Sequence, residues 1–272
     1  MAARPWHLGH HQANPYFAFT DACNVERPIV ILASGQACVW YKLTLASKDG
    51  DWIIAHDQSA CTIVLQRLAD LGATYRLGAP LDPRWLAAGW SAHFEAVGSG
   101  GERLRFDFVA RPPRVSAPQL KRLWDDVRRG GPAVVSPECL IRLKQTMRLK
   151  DYPFIGALAL RLDEAEAQLR WSIEPGHILR LLTQTPSLLA RLPEVRPALV
   201  GVALDLDAMA SAIDAEIRQL RRIDETRLTA YTRAIAPWSH RFRDLGLGHL
   251  PLVEAHARMT DAASGVLPES VL

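Results

Sequence analysis

Several features are scarce in this sequence, and each scarcity narrows what the chain can be. Its four cysteines, Cys23, Cys38, Cys61 and Cys139, are widely spaced and none belongs to a Cys-x-x-Cys pair. That spacing argues against a disulfide framework and against a thiolate zinc site, and it fits isolated thiols in a reducing compartment. No apolar run is long enough to span a bilayer. The opening stretch "MAARPWHLGHHQANPYF" lacks the apolar segment of a signal peptide. A cytoplasmic location with no membrane partner is therefore expected. Neither charge sign dominates: 32 Lys and Arg face 29 Asp and Glu, a formal charge of +3. That is too small to imply nucleic acid or an acidic membrane by itself. The Walker phosphate loop, the dinucleotide fingerprint, the serine elbow and the zinc-protease signature are all missing.

What remains is an ordinary globular composition, 49% apolar and 22% charged, in 272 residues, enough for one large domain or two smaller ones. After an irregular segment over 1–27, "IVILAS" reads as buried strand or helix, and residues 51–55 as a short strand. The stretch 58–72 has apolar residues near helical spacing and ends on Gly72, a natural helix stop. "WSAHFEAV" and "ERLRFDFV" flank the glycine-rich "GSGG" and predict a hairpin. In the second strand Leu104, Phe106 and Phe108 take one face, while Arg103, Arg105 and Asp107 take the other. A helix is expected from Pro137, capped by Ser136, with Leu140, Leu143 and Met147 as its apolar stripe. Lys144, Arg148 and Asp151 would share its polar side. Residues 161–272 turn Ala-, Leu-, Arg- and Glu-rich and predict a mainly helical region. Its strongest helix is capped by Asp205 or Asp207, with Ile213, Ile217, Leu220 and Ile223 buried, and 259–272 reads as a loose tail. The expected organisation is an α/β (α+β) fold: 1–27 irregular, 28–160 a mixed sheet with flanking helices, and 161–272 helical.

The chemistry-bearing stretch is "SKDGDWII", residues 47–54. Carboxylates two apart on an extended segment face the same side, so Asp49 and Asp51 could hold a divalent cation, with Asp107 completing the site from another strand. Mg²⁺ prefers such oxygen ligands, and two metals would neutralise charge on a transferring phosphoryl group. Asp-Gly-Asp is equally ordinary turn chemistry. His7, His10 and His11 invite a zinc reading, but a mobile tail is the simpler account. His56 and Asp57 follow the strand closely enough to line the same cleft, and His93 could point toward it from the hairpin. Trp40, Trp52, Trp85 and Trp90 suit a core by default and a base-stacking pocket otherwise.

Taken in order, these segments resemble the nucleotidyltransferase-fold proteins, closest to the minimal bacterial branch that includes nucleotidyltransferase-type toxins of abortive-infection systems. The resemblance rests on Ser34-Gly35, then Ser47-x-Asp49-x-Asp51, then Asp107 in "LRFDFV". A helix reading "SPECLIRLKQTMRLKD", which supplies Lys144, Arg148, Lys150 and Asp151, completes it. It covers about residues 28–160. The sequence departs from the pattern in three places: Ser34-Gly35 replaces a double glycine, Gly50 separates the acids, and Trp52 follows the second acid.

The resemblance implies a nucleotidyltransferase-like domain in which Asp49, Asp51 and Asp107 are catalytic and bind Mg²⁺. Ser34, Gly35, Ser47, Lys48, Lys144 and Arg148 would contact a nucleoside triphosphate. The implied reaction transfers a nucleotidyl group to an RNA, protein or small-molecule acceptor. The alternative, which the three departures favour, is a catalytically silent member acting as a toxin–antitoxin partner or scaffold. A protein partner or a homo-oligomer is compatible with either.

Overall fold

The computed structural model describes residues 14–268, so His7, His10 and His11 lie outside the described residues. The chain forms two compact units. One comprises the described residues up to Val135 together with those from Ala230 onward, and the other is Ser136–Thr229. The sequence reading set its boundaries at 27/28 and 160/161, whereas the compact units divide at 135/136 and 229/230.

The first unit is built on a five-stranded mixed sheet with flanking helices. Its elements are α1 (Pro15–Cys23), β1 (Val30–Ala33), α2 (Ser34–Trp40), β2 (Asp49–Ile54), α3 (Gln58–Asp70), β3 (Thr74–Tyr75), α4 (Pro83–Ala87), β4 (Ser91–Val97), β5 (Arg103–Val109) and α5 (Ala117–Arg128). The strand order is β1-β2-β5-β4-β3. Strand β2 runs antiparallel to β1 and parallel to β5, while β4 pairs antiparallel with both β5 and β3. The hairpin β4–β5 turns where "GSGG" predicts it, with Gly101 at φ +81°, a conformation that favours glycine. The helix expected at 58–72 is α3. Asp57 caps it by accepting the Ala60 N–H at 2.8 Å, and Gly72 follows it at φ +63°.

One face of this sheet is aromatic. The Trp52 ring lies nearly parallel to both Phe106 and Phe108, at 5.7 and 5.2 Å between centroids, and Phe19 of α1 closes over all three. The Trp52 indole N–H donates to the Thr20 hydroxyl at 2.8 Å, so the buried ring has its polar partner. Of the four tryptophans singled out, Trp52, Trp85 and Trp90 belong to the core. All four cysteines are free and buried, and burial pushes the Cys23, Cys61 and Cys139 thiols up to about 12.

The second unit is helical: α6 (Pro137–Lys144), α7 (Tyr152–Ala159), α8 (Ala165–Trp171), α9 (Pro175–Gln184) and α10 (Ser187–Val195), followed by the first part of α11 (Leu206–Asp244). Its core gathers Leu169, Ile178, Leu182, Leu192, Met209 and Ile213. Helix α6 starts as expected, with Ser136 accepting the Cys139 N–H, but it ends at Lys144 and leaves Met147 exposed. The turn after it is captured by side chains. Asp224 accepts the Met147 N–H at 2.9 Å and Arg221 donates to the Met147 carbonyl at 2.8 Å. The same capture explains why Asp224 is buried on α11 while its neighbour Ile223 is exposed. Asp205 caps α11 by accepting the N–H groups of Asp207 and Ala208.

The last 15 residues of α11 return to the first unit and lead into α12 (Leu252–Ala263). Here the expected tail differs from the structure. Leu252, Ala255, Met259 and Ala263 recur every three or four residues and are buried as one helical face. Helix α12 is fixed partly by a buried polar contact. Tyr75 Oη accepts the Leu81 N–H at 3.1 Å and lies 2.8 Å from His256 Nδ1. The hydroxyl proton needs an acceptor in the core, which makes Nδ1 the acceptor and His256 neutral.

Burial holds His256 below its ordinary pKa, and burial followed by the Arg180 charge does the same to His177 in the second unit. A lowered histidine binds fewer protons folded than unfolded. Its stabilisation is therefore complete above the unfolded pKa near 6.5 and is lost as pH falls through the folded pKa. Thermal unfolding midpoints should fall by a few degrees between pH 7.5 and 5.5. His256→Asn, which keeps an acceptor near Nδ1, should flatten that slope, leaving the His177 share.

Candidate functional site

The opposite face of the same sheet is charged, and strand register decides which side chains meet there. Residues paired across neighbouring strands point the same way. Asp51 pairs with Asp107, which pairs with His93, and Asp49 pairs with Arg105, which pairs with Glu95. The three candidate aspartates therefore share one face, in two adjacent rows. Arg76 joins the first row from the end of β3, its N–H donating to the His93 carbonyl at 2.9 Å.

Each row has its own counter-charges. Asp107 Oδ1 lies 2.7 Å from His93 Nδ1 and 3.5 Å from the Arg76 guanidinium. Arg105 sits between Asp49 and Glu95, 3.6 Å from each, and Arg103 reaches Glu95 at 3.4 Å. Asp49 Oδ1 is itself buried yet has no hydrogen-bond partner among the described residues, the Arg105 contact being too long to supply one. Asp51 is half-buried between the β1 edge and Asp107. Among the described residues, no group of three or more His, Cys, Asp or Glu is placed to hold a metal ion.

Around the mouth of β2 the other expected residues fall as follows. Ser34 opens α2 at φ +48°, a left-handed conformation that is costly for a residue with a side chain. A Cβ on Gly35 would come within 2.1 Å of the Ser47 hydroxyl, so glycine is what allows α2 to approach the strand. Gln36, buried beside it, donates to the Ser47 carbonyl at 2.9 Å and accepts from Asn14 at 3.0 Å. Lys48 is exposed, and its carbonyl accepts the Tyr16 hydroxyl at 2.6 Å. Burial raises the Tyr16 pKa, and the charges of Asp49, Asp107 and Asp51 push the same way. Asp57 caps α3 and pairs with Arg27 at 2.8 Å, while His56 Nε2 meets the Pro83 carbonyl at 3.0 Å.

Lys144 and Arg148 belong to the second unit. Lys144 Nζ is 3.3 Å from Asp151, and the two side chains are only 6% and 3% exposed. Thr146 and Arg148 also bind Asp151, at 2.6 and 2.9 Å. Burial alone would raise the Asp151 pKa, but the Thr146 hydrogen bond and the charges of Lys144 and Arg148 outweigh it and lower it.

No family model, curated protein or solved structure matches this chain. The site stands on its own geometry. That geometry adds Arg76, Glu95 and Arg105 to the residues expected there. The alternation of β5 already put Arg105 on the Asp107 face. Arg76 reaches it only through the β3–β4 pairing, which two residues of strand hardly announce.

The glycine between the acids also has a physical reason. Gly50 faces the aromatic side, where a Cβ would come within 2.3 Å of the Trp52 ring and 2.5 Å of Tyr16. Two buried rings fill the space that a side chain at this position would need. Gly50→Ala should therefore destabilise the fold by about 1–3 kcal/mol, the usual cost of overpacking. Denaturant unfolding measures it, and a variant as stable as the parent would show that the rings can give way.

Proposed function

We propose that the first unit is a nucleotidyltransferase of the kind its sequence resembles, using Mg²⁺ to transfer a nucleotidyl group from a nucleoside triphosphate to an acceptor. The observation that carries this reading is the register pairing of Asp51 with Asp107 on parallel neighbouring strands, with Asp49 two residues upstream on the same face. The reading includes a cytoplasmic location. No helix among the described residues is long and apolar enough to cross a membrane.

The residues fit a magnesium ion that arrives with its nucleotide. Mg²⁺ retains several waters and is ordinarily held by one or two carboxylates plus substrate phosphates, so no cage of three protein ligands is required. Asp51 and Asp107 supply such a pair, and the unbonded Asp49 Oδ1 supplies a further lone pair at its side. Bound there, the ion would contribute charge neutralisation at the α-phosphate. The acceptor oxygen forms its bond to the α-phosphorus as the bond to pyrophosphate breaks, and the acceptor's proton is assigned to Asp107. Ser34, Gly35 and Ser47 line the approach to β2, where the phosphates would lie. The acceptor class, whether RNA, protein or small molecule, stays open on this reading.

A second reading has its own observation. Asp49 and Asp107 already have cations beside them, so the face is largely neutralised without a ligand. A catalytically silent scaffold or toxin–antitoxin partner would keep such a face indefinitely. Calorimetric titration with ATP, GTP, CTP and UTP, with and without Mg²⁺, separates the two. The enzyme binds at least one triphosphate only when Mg²⁺ is present, and Asp51→Asn abolishes both that binding and turnover. Denaturant unfolding should show that this isosteric variant still folds cooperatively. No triphosphate binding, or full turnover by Asp51→Asn, would defeat the enzymatic reading.

A further inference from the structure

Resting on that reading, we propose that Arg76 and Arg105 are the triphosphate-binding residues of this face. In the free protein they act as internal counter-ions of the aspartates, and they pass from carboxylate to phosphate when Mg²⁺ and nucleotide bind together.

The geometry of the two arginines sets them apart from the structural ones in the same chain. Arg196 is 8% exposed, contacts Glu216 at 2.6 and 3.0 Å, and donates to the carbonyls of Leu169 and Ser172. That guanidinium is locked. Arg76 and Arg105 are 35% and 38% exposed and reach their aspartates only at 3.5 and 3.6 Å. Charge-assisted hydrogen bonds close to about 2.7–2.9 Å, so these contacts are loose. Each guanidinium carries five N–H donors in a planar fork suited to phosphate oxygens. Most of that capacity is unspent here.

Charge balance points the same way. Among the described residues the face holds four carboxylates, Asp49, Asp51, Glu95 and Asp107, and three guanidinium groups, Arg76, Arg103 and Arg105. A divalent cation arriving alone must compete with the arginines for Asp49 and Asp107. A triphosphate arriving alone meets uncovered carboxylates as the arginines turn toward it. Arriving together, the cation takes the carboxylates and the arginines take the phosphates, so no charge on the face is left bare. Lys144, by contrast, could turn to a phosphate only by breaking an ion pair whose two side chains are 6% and 3% exposed. Arg76 is also well placed, since its backbone is tied to β4 beside the aspartate row.

The test measures two affinities in Arg76→Gln and Arg105→Gln: Mg²⁺ alone, and each nucleoside triphosphate at saturating Mg²⁺. Arg103→Gln serves as the control, since the Arg103 side chain is 67% exposed and pairs with Glu95 at 3.4 Å. The expected result has opposite signs. Triphosphate binding weakens about tenfold or more in both variants, as loss of a charged hydrogen bond requires. Mg²⁺ binding tightens severalfold because a competing cation has gone. The control moves neither, and thermal unfolding confirms that all three variants fold. A fall in both affinities marks a merely structural arginine and overturns the assignment, as does triphosphate binding equal to the parent's. If the parent itself binds no triphosphate with Mg²⁺, the nucleotidyl-transfer reading fails first and this assignment with it.

Discussion

Asp51 and Asp107 stand opposite each other on parallel neighbouring strands, and much of the first unit can be read as an answer to that placement. Two carboxylates paired this closely repel, and a sheet tolerates them only if cations are brought to the same face. The sheet does so by register. Arg76 arrives from the end of the edge strand and Arg105 directly across from Asp49, while His93 lies within hydrogen-bonding distance of Asp107 from its other neighbour. The reverse face has the complementary duty of burying Trp52, Phe106 and Phe108 under α1. The alternation of strands β2 and β5 thus puts an aromatic core and a charged surface on opposite sides of one sheet. A one-residue slip of either strand would exchange the two faces.

Much of this was legible in the sequence because it depends on short-range pattern. The alternation of "LRFDFV", the glycine turn at 98–101, the Asp57 cap and the Gly72 stop each declare themselves within a few residues. What the sequence concealed depends on contacts between distant segments. Helix α6 stops at Lys144 because residues 221 and 224 seize the backbone of Met147, and no local periodicity reports that. The segment 259–268 looked loose because its buried residues are small or few, although Leu252, Ala255, Met259 and Ala263 do keep helical spacing.

The candidate site divides along the same line. Asp49, Asp51 and Asp107 were visible as a same-side set, since two lie in one strand and the third alternates with phenylalanines. Lys144, Arg148 and Asp151 were also grouped correctly in space, but for another reason. They are joined through the buried Asp151 carboxylate across a turn and not by the face of a continuous helix. Gly50 and Trp52 counted against activity in the sequence. In the structure both belong to the aromatic side, where Trp52 fills the room that a side chain at position 50 would take. Those departures therefore describe packing on the far side of the sheet and leave the carboxylates themselves untouched.

The discontinuity of the first unit has a consequence for how the chain is made. During synthesis the sheet emerges early, but the Trp238 indole that donates to the Gly78 carbonyl comes 160 residues later. The Trp90 indole likewise finds its acceptor only at Pro268, and Tyr75 finds His256 only 181 residues later. Until then a half-covered sheet waits beside the ribosome while the helical unit is extruded between its two parts. Closing so long a loop adds only slowly to the entropic cost, but it delays completion. Until the residues from 238 to 268 arrive, the Trp90 indole and the Gly78 carbonyl lack their partners, a state that invites chaperone binding or aggregation.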